Sequence, residues 1–185
     1  DTIKELRTLC AKGREIQDLI LKYIPDEFYI NNIKTGNSLL FVTLQLCNNM
    51  CIQNEENQNH MFPLITPLFK LVDWDIKTGT IALSFVITCT QPGSPHRKFI
   101  SVDLLYPFFK LPATDAEFEL RIVTLFPPIT NDIIDYSLKN EDTCFIMLDR
   151  IHDALECLPE QFDVETVIPH MLKLLVPDAI HVKMP

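Results

Sequence analysis

Glycine is scarce in this chain, with only four among 185 residues, at positions 13, 36, 79 and 93. Phosphate-binding loops of the G-x-G-x-x-G and G-x-x-x-x-G-K types need closely spaced glycines, because only glycine lets the backbone approach a phosphate so closely. The glycines of this chain are too widely spaced for either motif. Nucleotide binding through a glycine-rich loop is therefore excluded.

The signatures of metal sites and activated nucleophiles are also missing. None of the six cysteines forms a C-x-x-C pair, and the chain has no H-E-x-x-H and no G-x-S-x-G element. Lys-Thr-Gly occurs twice, but the S-x-x-K and S-D-N elements that accompany it in serine β-lactamases do not occur. We therefore predict no cofactor, no metal site and no recognisable catalytic centre.

Long apolar runs are missing as well. No run reaches the roughly 18 residues that a membrane-spanning helix needs, and the N-terminus lacks the basic-then-apolar layout of a signal peptide. The chain starts at Asp1, which suggests a domain excised from a longer protein. The cysteines lie among apolar neighbours, as buried free thiols do. These features predict an intracellular, reducing compartment, nucleus or cytoplasm, and no membrane span.

Charge is unevenly distributed along the chain. The net charge is −9, and residues 1–114 carry 11 acidic and 11 basic side chains, while residues 115–185 carry 14 acidic and 5 basic ones. An acidic surface repels phosphate backbones. We predict no direct binding to nucleic acid. For the acidic C-terminal part, a solvated surface and a surface for a basic protein partner are both open.

The apolar pattern predicts α+β architecture. Residues 2–24 have the period of a helix, which Pro25 ends, and the domain division is a helix over 1–25, the end of a coiled coil or a helix packed on its own sheet, followed by a single α+β domain over 26–185. The next segments read as an antiparallel meander of four to five strands, and the last as C-terminal helices. The predicted strands are 38–47, 64–74, 80–90, 98–106 and 117–126, and the predicted helices are 131–157 and 163–175.

The two Lys-Thr-Gly triplets are interpreted as one turn used twice. Each precedes an apolar run, and Gly36 and Gly79 can adopt a positive φ where a hairpin reverses. The stretches between the triplets differ, so the pattern does not predict a repeat architecture. The polar stretch 54–60 is predicted to be a mobile loop.

The segment "LLYPFFKLPATDAEFELRI" at 104–122 resembles the Tyr-Pro turn of RWD domains, the non-catalytic relatives of the ubiquitin-conjugating fold. Tyr106, Pro107 and Pro112 carry the resemblance, together with the order helix, meander, helices. Four residues separate the two prolines, where the family has three. The His-Pro-Asn element and the nearby cysteine of conjugating enzymes do not follow. The resemblance therefore implies a non-catalytic protein-binding domain, as in kinetochore subunits and ubiquitin-pathway adaptors.

The sequence thus favours a protein–protein interaction domain of a larger scaffold or complex subunit. Alternatives are an enzyme whose site assembles from dispersed carboxylates such as Asp73, Asp75 and Asp103, and a viral protein that binds host proteins. The N-terminal helix is the predicted surface for a second protein or for homodimerisation. The sole tryptophan and the basic cluster of "SPHRKF" have recognition character. The candidate partner-binding residues are Ile3, Leu6, Leu9, Trp74, His96, Arg97 and Lys98.

Overall fold

The structure, a computed structural model, describes residues 2–71, 75–109, 116–125, 130–137 and 149–156, together with positions 160, 165, 168, 169 and 172. Every regular element within these ranges is helical. The predicted α+β class, with its meander of four to five strands, is therefore wrong.

We number ten α-helices in the described ranges in chain order. They are α1 Thr2–Cys10, α2 Arg14–Tyr23, α3 Asp26–Thr35, α4 Leu40–Cys51, α5 Glu55–Met61, α6 Ile65–Leu68, α7 Ile76–Cys89, α8 Val102–Phe109, α9 Ala116–Val123 and α10 Thr130–Ser137. Two 3₁₀ helices, Phe62–Leu64 and Pro95–Phe99, lie between them, and residues 149–156 are also helical.

All five predicted strands are replaced by helical structure where they are described. The segments 38–47, 80–90 and 117–126 fall mainly on α4, α7 and α9. The segment 64–74 contains the end of a 3₁₀ helix and α6, and 98–106 contains the end of the other 3₁₀ helix and part of α8, while residues 72–74 and 126 lie outside the described part. Within the predicted C-terminal helices, 131–137 and 149–156 are helical.

The described parts of the segment that carried the resemblance to RWD domains, 104–109 and 116–122, are helical. Tyr106 and Pro107 lie inside α8 rather than in a turn after a strand, and Pro112 falls outside the described residues. The expectation of an RWD-like fold is wrong, because its meander is not formed by the residues that were assigned to it.

Helices α1, α4, α7 and α9 form a row. The most extensive contacts in the described structure run from α1 to α4, from α4 to α7 and from α7 to α9. A second layer lies beside this row, since α2, α3 and α5 pack on α4, and α5 also packs on α7. The row helices begin at residues 2, 40, 76 and 116, at intervals of 38, 36 and 40 residues. Row helices that begin at similar intervals resemble the stacked helical units of an α-solenoid.

The row helices α1, α4 and α7 run parallel, so their C-terminal ends meet at one edge. The Thr88 hydroxyl, in the last turn of α7, donates to Asn48 Oδ1 of α4 over 2.8 Å. In the same way Asn49 Nδ2 of α4 donates to the carbonyl oxygen of Arg7 in α1, over 3.3 Å. We call this side of the array, formed by residues 11–13, 52–54 and 90–94, the C-terminal edge.

The two Lys-Thr-Gly triplets occupy different structural positions. Gly36 has the predicted positive φ, at 58°, but it ends helix α3 rather than forming a hairpin. Gly79 is a buried residue inside α7 and is not among the glycines with positive φ. The interpretation of one turn used twice is therefore wrong.

Two further local predictions are corrected. The single helix predicted over 2–24 is two helices, because the chain leaves the helical conformation at Gly13, where φ is 125° and ψ is 177°. The polar stretch 54–60 is mostly helix α5, which begins after Asn54, whose side-chain oxygen accepts a hydrogen bond from the amide of Asn57 over 3.2 Å. That bond satisfies one of the free amides of the first helical turn.

Four cysteines lie in the core between the row helices. Cys10, Cys47, Cys51 and Cys89 are buried free thiols. Burial raises the pKa of Cys10 to about 11, and a hydrogen bond with Cys89 together with burial raises the pKa of Cys51. The thiols of Cys10 and Cys51 therefore stay protonated at neutral pH.

Asp75 is the N-cap residue of helix α7. Its side chain accepts hydrogen bonds from the Thr78 amide over 2.9 Å and from the Thr78 hydroxyl over 2.6 Å. Partial burial works to raise the pKa of Asp75, but these bonds lower it overall. We expect Asp75→Ala to reduce the free energy of unfolding by about 1 kcal/mol, the usual value of an N-cap. Urea denaturation of both proteins at pH 7 measures this difference.

The contribution of Asp75 should depend on pH in a defined direction. Because its pKa is lower in the folded state, the stabilisation is complete above the carboxyl pKa of the unfolded chain, about 3.9, and is lost as the pH falls through the folded value. Asp75→Asn is the control, since its amide oxygen still accepts from the helix but does not titrate. Equal acid sensitivity of Asp75→Asn and the parent protein would contradict this role.

Candidate interaction surface

Side chains of neighbouring segments close the C-terminal edge. The last carbonyl groups of a helix have no partner within the helix. Gln17 lies in α2, and its Nε2 donates to the carbonyl oxygens of Asn49 over 2.9 Å and Ile52 over 3.2 Å, at the C-terminal end of α4. Gln58 Nε2 donates to the carbonyl oxygen of Cys51 over 2.8 Å. These hydrogen bonds therefore connect α2 and α5 to the C-terminal end of α4.

Arg97 fixes the 3₁₀ helix Pro95–Phe99 to this edge. Its guanidinium donates from Nη1 to the carbonyl oxygen of Thr90, which follows α7, over 3.1 Å, and from Nη2 to that of Thr124, which follows α9, over 3.4 Å. Partial burial lowers the pKa of Arg97. A cation at the negative ends of two helices is a favourable arrangement. Arg97 thus holds its short helix across the ends of α7 and α9.

Three rings form a contiguous surface beside Arg97. The rings of Phe62 and His96 are stacked, with centroids 3.9 Å apart and planes at 10°. The Phe99 centroid lies 5.2 Å from that of Phe62 and 6.4 Å from that of His96. Phe62 and His96 are half-buried, whereas Phe99 is 55% exposed. The outermost ring is therefore open to solvent, and the two inner rings support it.

Polar groups position and flank these rings. His96 Nε2 lies 2.8 Å from Asn59 Oδ1, within hydrogen-bond distance. The Lys98 ammonium lies 5.4 Å from the Phe99 ring centroid, within the range of a cation–π contact. We call this group of five residues, Asn59, Phe62, His96, Lys98 and Phe99, the Phe99 patch.

An open cleft adjoins the patch at Pro95. Its volume is about 400 Å³. Its walls come from the first part of α5 and from the segment that leads into the 3₁₀ helix Pro95–Phe99. The residues that line it are Gln53, Glu55, Gln58, Gln91, Pro92, Gly93, Ser94 and Pro95. The cleft exposes polar and apolar surface in about equal measure and carries one carboxylate, that of Glu55.

The structure places the predicted partner-binding residues in different surroundings. His96 and Lys98 belong to the Phe99 patch, while Arg97 is held by backbone carbonyls and serves the fold. Trp74 lies outside the described residues. The three apolar residues predicted on the N-terminal helix are half-buried and pack against the core from α1; they are Ile3, Leu6 and Leu9.

Sequence reasoning missed three members of the patch: Asn59, Phe62 and Phe99. Phe99 was within reach, because it ends the "SPHRKF" segment that was singled out. The other two lie more than 30 residues earlier in the chain. Only the packing of α5 beside α7 brings them to the patch.

Two of the three carboxylates named in the enzyme hypothesis lie in the described part of the chain. Asp75 is engaged as the cap of α7, Asp103 is an exposed residue in the first turn of α8, and Asp73 is outside the described residues. Among the described side chains, no group of three or more His, Cys, Asp or Glu residues is arranged to hold a metal ion.

No described helix combines the length and apolar character required to cross a bilayer. The chain matches no family model, no curated protein and no solved structure at a significant level.

Proposed function

We propose that this chain is a non-catalytic protein–protein interaction module of an intracellular scaffold or complex subunit. The observation that carries the proposal is the Phe99 patch. In this patch the exposed ring of Phe99 lies beside the stacked rings of Phe62 and His96 and near the ammonium group of Lys98. Aromatic anchors next to polar and basic groups are typical of the energetic centres of protein interfaces.

The rigidity of the patch supports this role. Binding is weakened when side chains must be ordered on association, so a surface that is ordered beforehand has an advantage. His96 is fixed by Asn59 and by stacking on Phe62, and the backbone of its short helix is held by Arg97. The ring of Phe99 is therefore presented in a defined place before a partner arrives.

The size of the patch favours a weak or transient complex. Five side chains cannot bury as much surface as a stable interface, which usually covers roughly 800 Å² on each partner. A short extended segment of a partner protein fits this area better than a second folded domain does. The proposed setting in the nucleus or cytoplasm is supported by the free state of Cys10, Cys47, Cys51 and Cys89.

The proposal is tested by photo-crosslinking in cells. A benzophenone amino acid is placed at position 99 in one protein and at exposed position 4 of helix α1 in another. We expect crosslinked protein partners from position 99 and not from position 4. The experiment also tests the prediction that the N-terminal helix is the contact surface. Crosslinks from position 4 alone, or equal crosslinks from both positions, would contradict the assignment to the Phe99 patch.

A further inference from the structure

We infer that the Phe99 patch binds an acidic segment of a partner protein, with a carboxylate at Lys98 and an apolar side chain on the Phe99 ring. The inference rests on the proposed function and names the chemistry of the partner. It differs from the basic partner that the overall negative charge suggested, because the local charge of the patch is opposite to that of the chain.

The charge of the two segments that build the patch supports an acidic ligand. Residues 57–65 and 92–101 contain two cationic side chains, Arg97 and Lys98, and no Asp or Glu, in a chain whose net charge is −9 with histidine neutral. Arg97 already has partners, since it donates to carbonyl oxygens. The exposed ammonium of Lys98 remains as the point to which a carboxylate can bind.

The geometry places the ionic and apolar contacts side by side. The Lys98 ammonium lies 5.4 Å from the centre of a ring that is 55% exposed, so a carboxylate and an apolar group from neighbouring residues of one segment can reach both. Glu55 in the adjoining cleft repels further carboxylates there, which favours one acidic cluster at Lys98 over a long acidic tract.

Selection from a random peptide library displayed on phage, with the full chain as bait, tests this inference. We expect enrichment of peptides that place Asp or Glu next to an apolar residue. Synthetic versions should lose about tenfold in affinity with Lys98→Glu, should keep their affinity with Lys98→Arg, and should bind more weakly as salt is raised. Lys4→Glu makes the same charge change on exposed helix α1 and should have no effect.

The outcomes separate this inference from the proposed function. Peptides that lose binding with Phe99→Ala but lack acidic residues and tolerate Lys98→Glu would overturn the acidic assignment and leave the interaction module standing. Peptides that tolerate both substitutions would overturn both. A fluorescent single-stranded oligonucleotide is the second probe, because basic and aromatic groups together also suit nucleic acid. Its binding at about 150 mM salt, lost with Lys98→Glu, would overturn the inference as well.

Discussion

Val86→Asp should remove at least about 4 kcal/mol of folding free energy, because it places an unpaired carboxylate in a fully buried position. Val86 has no exposed surface, and its helix α7 packs on α4 and on α9. Since domains are stable by only about 5–15 kcal/mol, we expect the variant to be largely unfolded. Urea denaturation followed by circular dichroism measures the loss.

Two companion variants make this prediction specific to a helix. Ile87→Asp introduces the same charge one residue later, at a half-buried position, and should cost less than half as much. A strand over 80–90 would instead bury Ile87 and expose Val86, so a reversed order of the two variants would contradict the helix. Val86→Ala, which should cost only about 2 kcal/mol, remains measurable if the aspartate variant does not fold.

Gly13→Val should lower the free energy of unfolding by about 1–3 kcal/mol through backbone strain alone. Gly13 has φ of 125° and ψ of 177°, a conformation that is almost restricted to glycine. A Cβ atom at this position would meet no atom within 4 Å, so steric contact with neighbours cannot explain a loss. Thermal and urea denaturation of both proteins give the difference.

The decisive control for Gly13 is a change of chirality. D-alanine favours positive φ, so a chain with D-alanine at position 13, assembled by ligation at Cys47, should be at least as stable as the parent. L-alanine at the same site should show the loss. Equal stability of the two alanine proteins would mean that Gly13 does not hold a positive φ, and that the helix continues from α1 into α2.

The sequence predicted helices correctly where one side of the helix faces water. Residues 2–24 show a clear helical period because α2 exposes polar side chains such as Glu15 and Asp18 opposite its buried face. Even there, the helical period does not reveal the break at Gly13. A glycine in a helical pattern can be tolerated or can end the helix, and the pattern alone does not decide between these outcomes.

The period of the apolar residues did not predict the helices in the middle of the row. Helix α7 packs against α4 on one side and α9 on another, so apolar residues surround much of it and the helical period is weak. Its β-branched residues, including Ile81, Val86 and Ile87, then suggested a strand. One signal in the sequence favoured a helix: Asp75 precedes the segment as a capping residue.

The candidate surface could be predicted only in part. His96 and Lys98 were identified because a compact basic cluster between prolines is visible in the sequence. Their neighbour Arg97 could not be told apart from them, since its role depends on carbonyl groups that α7 and α9 bring to one place. Phe62 joins the surface through tertiary packing, which no local pattern records.

The row of helices also determines how the chain reaches its fold. Successive row helices that begin 36 to 40 residues apart contact one another, and topologies whose contacts have such limited sequence separation fold faster than those that pair distant segments. Stability then accumulates approximately from one interface to the next, as in a one-dimensional chain of coupled units. Damage to one interface is therefore felt most by the adjacent helices, and opening can spread from an end of the array while its middle stays folded.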